Sequence, residues 1–169
     1  MIPFRVGHGY DVHRYADDRR LVLGGVEIPD ADGFGLLGHS DADVLTHAVM
    51  DALLGAIGEG DIGRHFPDSD ARYKGIRSML LLSEVIELVR QNGYRLGNLD
   101  VTVIAQKPKL SPHIDAIRKS LAEAFGCPFS SINVKATTEE GLGFTGALLG
   151  MATHAVCTLY ADGIGGADR

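Results

Sequence analysis

The sequence predicts a single α/β domain (α+β-like), a mixed β-sheet packed with helices. Three observations carry this. Segments of strand-like alternation are separated by segments of helical periodicity. The chain has 169 residues, 45% apolar and 22% charged, which suits one domain with its own core. No internal repeat, low-complexity stretch or linker divides it. The expected domain covers residues 1–161, with a glycine-rich tail at 162–169.

In chain order, Phe4–Asp11 and Arg20–Ile28 read as strands, with the charged run Asp17-Asp18-Arg19-Arg20 turning between them. A glycine-rich stretch runs from Gly33 to Gly38. Ser40, with Asp43 three residues on, resembles a capping box ahead of a helix carrying Val44, Leu45, Ala48, Val49, Ala52 and Leu53. That helix stops near Gly55 or Gly58. Residues 58–75 form a long polar loop, the kind that is commonly functional or disordered. Ile76–Gln91 is an amphipathic helix ended by Asn92-Gly93, and Leu99–Ala105 is a strand stopped by Pro108. Pro112 suits a first helical turn, and the helix runs to Phe125-Gly126. Ile132–Thr137 and Met151–Tyr160 are the last two strands.

Sixteen basic and 22 acidic side chains give a formal charge of −6, which argues against a dedicated nucleic-acid binder. Cys127 and Cys157 form no C-x-x-C and no disulfide framework. Gly141–Ala161 lacks acidic and basic residues but is too rich in glycine and threonine for a membrane helix. The expectation is a cytoplasmic protein without membrane or nucleic-acid partners, since no apolar run follows a basic start.

Asp11-Val12-His13 on a strand turns both polar side chains to one face. His47 lies on the first helix with Asp43 and Asp51 four residues to either side. Two histidines and a carboxylate make a three-ligand zinc set with an open fourth position. Asp-x-His alone fits capped or solvated residues equally well. His39-Ser40-Asp41-Ala42-Asp43 before a helix fits either a phosphate cradle or ordinary caps. The loop Asp61 to Asp70 gathers ionisable side chains and a serine, as a binding loop or a solvated one would. Ala105-Gln106-Lys107-Pro108-Lys109-Leu110-Ser111 fits a base or phosphate clamp or an exposed turn. Thr137-Thr138-Glu139-Glu140 offers hydroxyls for phosphate and carboxylates for a hard cation. Gly141 to Gly146 matches G-x-G-x-x-G, but two glutamates precede it and too little chain follows for a dinucleotide fold.

Together, Gly7 to His13, His39 to His47, Asp61-Ile62-Gly63, Phe66 to Asp70, Ala105 to Ser111 and Lys135 to Phe144 form a recognisable series. Over about Arg5 to Ala161 the chain resembles the 2-C-methyl-D-erythritol 2,4-cyclodiphosphate synthase family of the non-mevalonate isoprenoid pathway. The resemblance implies a homotrimer with active sites between subunits. It implies a phosphorus-oxygen lyase that converts a CDP-linked methylerythritol 2-phosphate to the cyclic diphosphate and CMP.

By the same resemblance Asp11, His13 and His47 hold zinc, and Glu140 holds a second divalent cation, magnesium or manganese. His39 and Thr138 stabilise the transition state. Ser40, Ile62, Phe66, Pro67, Asp68, Ser69 and Asp70 contact the methylerythritol phosphate, and Asp61 and Gly63 the ribose. Ala105, Gln106, Lys107, Pro108, Lys109, Leu110 and Ser111 form the cytosine pocket. Thr137, Glu139 and Phe144 complete the surroundings of the diphosphate.

Two positions depart from the family pattern. Glu139 stands where relatives commonly carry Thr or Asn. Ala147-Leu148-Leu149-Gly150 replaces a common Arg-Gly-Glu-Gly, which implies weak binding of anionic isoprenoids on the trimer axis. On residues alone, a metal-dependent phosphohydrolase and a non-catalytic nucleotide- or metal-binding module remain open as well.

Overall fold

Strand β1 (Phe4–Ala16) alternates strictly, with Gly7, Gly9, Asp11 and His13 turned inward and Phe4, Val6, His8, Tyr10 and Val12 turned outward. This is a computed structural model, and it describes residues 3–29, 31, 33–67 and 69–163. The expected strand over Arg20–Ile28 is instead a small hairpin of β2 (Val22–Leu23) and β3 (Val26–Glu27). Gly24 and Gly25 both take positive φ at its two-residue turn, a conformation that glycine adopts without steric cost. Within the glycine-rich stretch, β4 (Gly35–Leu36) pairs with the end of β1.

Helix α1 (Val44–Ile57) begins at Asp43 rather than at Ser40. Ala42 at φ 59° breaks helical geometry ahead of it. The Asp43 carboxylate accepts from Thr46 N and Thr46 Oγ1, and also from Gly24 N and Gly25 N. One fully buried carboxylate thus caps the helix and bolts the hairpin to it. Burial pushes its pKa up against the pull of those hydrogen bonds. Every residue of α1 is buried except Asp51 and Gly55, as befits a helix covered on both sides.

The long loop holds α2 (Ile62–His65), capped by Asp61, and a turn of 3-10 helix at Ala71–Tyr73. Helix α3 (Ser78–Gln91) packs on α1, and β5 (Tyr94–Ile104) follows with a bulge between Leu96 and Asn98. A 3-10 turn containing Pro112 leads into α4 (Ile114–Phe125), which packs on β6 (Ile132–Thr137). The four-residue α5 (Gly143–Gly146) precedes β7 (Gly150–Ala161).

The five-stranded sheet has the order β4-β1-β7-β5-β6. Only β5 and β6 run parallel, so the sheet is mixed, as expected. The helices cover one face. On the other, Phe4, Val6, Tyr10, Val12, Val156 and Tyr160 are each at least 40% exposed, an apolar surface that none of the described residues covers. Among the described residues no helix is long and apolar enough to cross a membrane. Of the expected tail, residues 164–169 lie outside the described residues.

Helix α1 rests directly on the backbone of β1. A Cβ on Gly7 would stand 1.8 Å from Ala52 O, and one on Gly9 would stand 1.9 Å from Ala48 O. Gly9→Ala is therefore expected to destabilise the fold by about 3 kcal/mol or more, because backbone has to move. Gly55→Ala, whose Cβ meets only His8 O at 3.9 Å, should be neutral or stabilising by about 0.5–1 kcal/mol. Urea unfolding of the two variants checks the contrast. Equal stabilities would mean that α1 does not sit as close as described.

Candidate active site

The inward face of β1 and the first turns of α1 bring Asp11, His13 and His47 together. Asp11 Oδ2 lies 3.0 Å from His13 Nε2 and 3.0 Å from His47 Nδ1, and the two ring nitrogens are 3.2 Å apart. Metal–ligand bonds of about 2.0–2.1 Å put neighbouring ligand atoms of a tetrahedron about 3.3 Å apart, close to this triangle. Each imidazole is held by its other nitrogen. His13 Nδ1 donates to Leu37 O at 2.7 Å, a carbonyl delivered by the pairing of β4 with β1. His47 Nε2 faces Ser78 Oγ at 2.9 Å and Ser40 Oγ at 3.2 Å. Leu37 and Ser78 were not among the residues expected here.

The triad opens into a cavity of about 250 Å³, which His39, Ser40, Ile62 and Phe66 also line. Among the described residues His39 Nε2 is buried without a hydrogen-bond partner, an orphaned polar atom that suits a bound anion. Phe66 packs edge-on against Tyr73 at 5.4 Å. Asp61 spends one carboxylate oxygen on Arg64 N, and Ile62 N donates to Asp51 Oδ1 at 2.8 Å. Asp51 therefore ties α1 to the loop, and burial pushes its pKa up. Pro67 O accepts from Asp70 N, and the Asp70 carboxylate is engaged by Arg72. Ser69 sits in the turn between them, and Asp68 lies outside the described residues.

A second cleft of about 580 Å³ is lined by Phe34, the whole segment Ala105, Gln106, Lys107, Pro108, Lys109, Leu110 and Ser111, and then Ala136, Thr137 and Thr138. The Lys107–Pro108 peptide is cis. Tyr15 donates to Lys107 O at 2.5 Å, and burial pushes the phenol up to about 12. Beside the cleft, Glu140 sits at φ 53° with its N–H on Thr138 Oγ1, and Gly141 N donates to Gln106 Oε1. Glu139 is bonded by the buried Thr145 hydroxyl, so its carboxylate braces the turn that presents Glu140 and Phe144. The two cavities share no lining residue. The residues singled out in the sequence thus gather in and beside two separate cavities of one chain.

Residues 4–160 match the YgbB family. The chain belongs to that family. A curated relative from Trichlorobacter lovleyi, named 2-C-methyl-D-erythritol 2,4-cyclodiphosphate synthase, is 61% identical over 92% of this chain and 98% of its own. A solved structure of a synthase of that name in a CDP-bound form is 40% identical, with a TM-score of 0.84 over 92% of this chain and 99% of the other. The bifunctional IspDF protein from Campylobacter jejuni matches at 43% identity and a TM-score of 0.89 over 94% of this chain. This chain spans only 42% of that longer one.

In this YgbB-family chain the triad carries its own electrostatic signature. Burial alone would raise the Asp11 carboxyl, but hydrogen bonds from His13 and His47 and their charge hold it at about 2. Burial works to lower His13, and the Asp11 hydrogen bond and charge outweigh it, leaving the imidazole raised. The depressed Asp11 stabilises the metal-free fold fully above about pH 4, and this is lost as the pH falls toward 2. The raised His13 stabilises below its unfolded value of 6.5, and this is lost as the pH rises through its folded value. The stability difference between metal-free parent and metal-free Asp11→Asn should therefore peak between about pH 4 and 6.5, at about 2 kcal/mol. Urea unfolding in chelator across pH checks this, and a difference that grows steadily into alkali would contradict it.

Proposed function

We infer that this chain is a phosphorus-oxygen lyase of the non-mevalonate isoprenoid pathway. It converts 4-diphosphocytidyl-2-C-methyl-D-erythritol 2-phosphate to 2-C-methyl-D-erythritol 2,4-cyclodiphosphate and CMP. The observation that carries the reading is the convergence of Asp11, His13 and His47 beside an anion-ready cavity, in a chain 92% of which aligns with a named synthase.

The donor set of two imidazoles and one carboxylate suits zinc with an open position. Glu140, a single exposed carboxylate, suits a second cation such as magnesium or manganese, which commonly takes one protein ligand plus substrate phosphates. When bound, such cations polarise phosphoryl oxygens and offset developing negative charge. The 2-phosphate oxygen attacks the β-phosphorus, and the bond from that phosphorus to the α-phosphate oxygen breaks. The electron pair leaves on CMP. An anionic phosphate needs no base, so the protein's work is alignment and charge compensation.

His39, with its unpartnered Nε2, and Thr138 flank the reacting phosphates. Ser40, Ile62 and the 66–70 loop hold the methylerythritol phosphate, and Asp61 and Gly63 hold the ribose. The 105–111 cleft takes cytosine through its backbone groups, and Thr137, Glu139 and Phe144 shape the diphosphate turn. A cytoplasmic setting fits a CDP-linked substrate.

The same proposal includes a homotrimer. Two features support it: the uncovered apolar face of β1 and β7, and the split of the residues into two half-sites that a neighbouring copy would complete. Exposed Ala147 and Leu149 stand where the family commonly carries Arg and Glu, so prenyl diphosphates should bind weakly on the axis.

Phosphorus NMR of the protein with substrate, zinc and magnesium is expected to show CMP and two coupled signals of a cyclic diphosphate. Linear phosphates would instead identify a hydrolase. Val6→Asp, on the open face, should leave the subunit folded but monomeric by light scattering, with turnover down by at least about 100-fold because the half-sites separate. A fully active monomer would overturn the shared-site reading.

A further inference from the structure

Ser78 opens helix α3, is fully buried, and lies 31 residues beyond His47 in sequence. Its backbone N–H donates to Asp41 Oδ2 at 3.0 Å and its hydroxyl to Asp41 Oδ1 at 2.5 Å. A carboxylate accepts and has no proton to give, so the single hydroxyl proton of Ser78 is committed to Asp41. Ser78 Oγ, 2.9 Å from His47 Nε2, is then left as an acceptor, and the hydrogen on that contact belongs to the imidazole. A neutral imidazole carries one N–H, so Nδ1 keeps a lone pair, aimed at Asp11 Oδ2 and His13 Nε2. Ser40 Oγ stands 3.2 Å from the same Nε2 and 3.4 Å from Ser78 Oγ while accepting Ala42 N–H. Its own hydroxyl proton can go to the second lone pair of Ser78 Oγ, which leaves the Nε2 hydrogen in place.

This arrangement opposes a competing one. With its proton on Nδ1, His47 would hydrogen-bond Asp11 directly and would have no lone pair on that atom to offer an ion. We propose that Asp41 and Ser78 are positioning residues of the metal centre, holding His47 in the Nε2–H tautomer so that Nδ1 stays available as a ligand atom. The proposal rests on reading Asp11, His13 and His47 as a metal centre. Neutral His13 is set in the opposite sense, with Nδ1–H on Leu37 O and the Nε2 lone pair turned toward Asp11 and His47, so the two histidines are locked as complementary tautomers. Outer partners of this kind commonly govern metal affinity and ligand orientation.

Two variants and one measurement on the parent test it. Ser78→Ala keeps the backbone N–H bond to Asp41, so the start of α3 survives. Zinc affinity, measured by competition with a chromophoric chelator, should fall about 10-fold or more. Asp41→Asn should cost more, because an amide donating to Ser78 Oγ turns the hydroxyl proton toward His47 Nε2 and drives the imidazole proton to Nδ1. In the metal-free parent at mildly alkaline pH, long-range nitrogen–proton correlation NMR should show His47 protonated on Nε2, and in Asp41→Asn on Nδ1. Folded variants that bind zinc as tightly as the parent would overturn the proposal while leaving the metal centre intact. So would a parent His47 carrying its proton on Nδ1, a readout that holds even where a variant fails to fold. A parent that takes up no zinc would overturn the metal centre itself and the proposal with it.

Discussion

Helix α1 lies on strand β1 with backbone against backbone, and the rest of the site depends on that contact. Gly7 and Gly9 leave room for the carbonyls of Ala52 and Ala48. Two and four residues beyond Gly9 on the same strand face, Asp11 and His13 meet His47, the residue just before Ala48 on the helix. A side chain at either glycine would lift the helix, and His47 would leave the triangle. Asp43 secures the near end of α1 by capping it and holding the β2–β3 turn, while Asp51 secures the α2 loop. The two carboxylates beside His47 are thus fasteners of the scaffold, each satisfied by backbone donors.

How much of this was legible in the sequence depended on whether a signal was local. The alternation of β1 and the periodicity of α1 and α3 announced a mixed α/β layer, and Asp-x-His announced a shared strand face. The Gly24-Gly25 turn was also written plainly, yet the flanking apolar residues read as one strand because each arm of the hairpin is only two residues long. Ser40 looked like a cap, but its hydroxyl is drawn to Ala42 N–H and His47, and the helix starts three residues later. Glu139 carried no local sign of its partner, since Thr145 reaches it only through the fold of the turn. Ser78 was the least legible: nothing near it in sequence points to a histidine on another helix.

The division into two cavities gives the proposed chemistry its shape. A chain of net charge −6 has to bind a substrate with several phosphate charges. It does so, on the proposed reading, by concentrating ligands for cations at Asp11, His13 and His47 in one half-site and at Glu140 beside the other. On the proposed reading, each copy supplies a metal triad to one neighbour and a nucleotide cleft to the other. The uncovered face of the sheet, unfavourable for an isolated chain, becomes the surface that aligns the halves. Catalysis and assembly then draw on the same strand, β1, which carries ligands on one face and the interface on the other.

The most direct test of the central claim, that the substrate's own phosphate is the nucleophile, is turnover in water enriched in heavy oxygen, followed by mass spectrometry of both products. Intramolecular attack predicts a cyclic diphosphate and CMP that carry no label from solvent. Heavy oxygen in either product after a single turnover would show that water attacks phosphorus at this centre and would contradict the account.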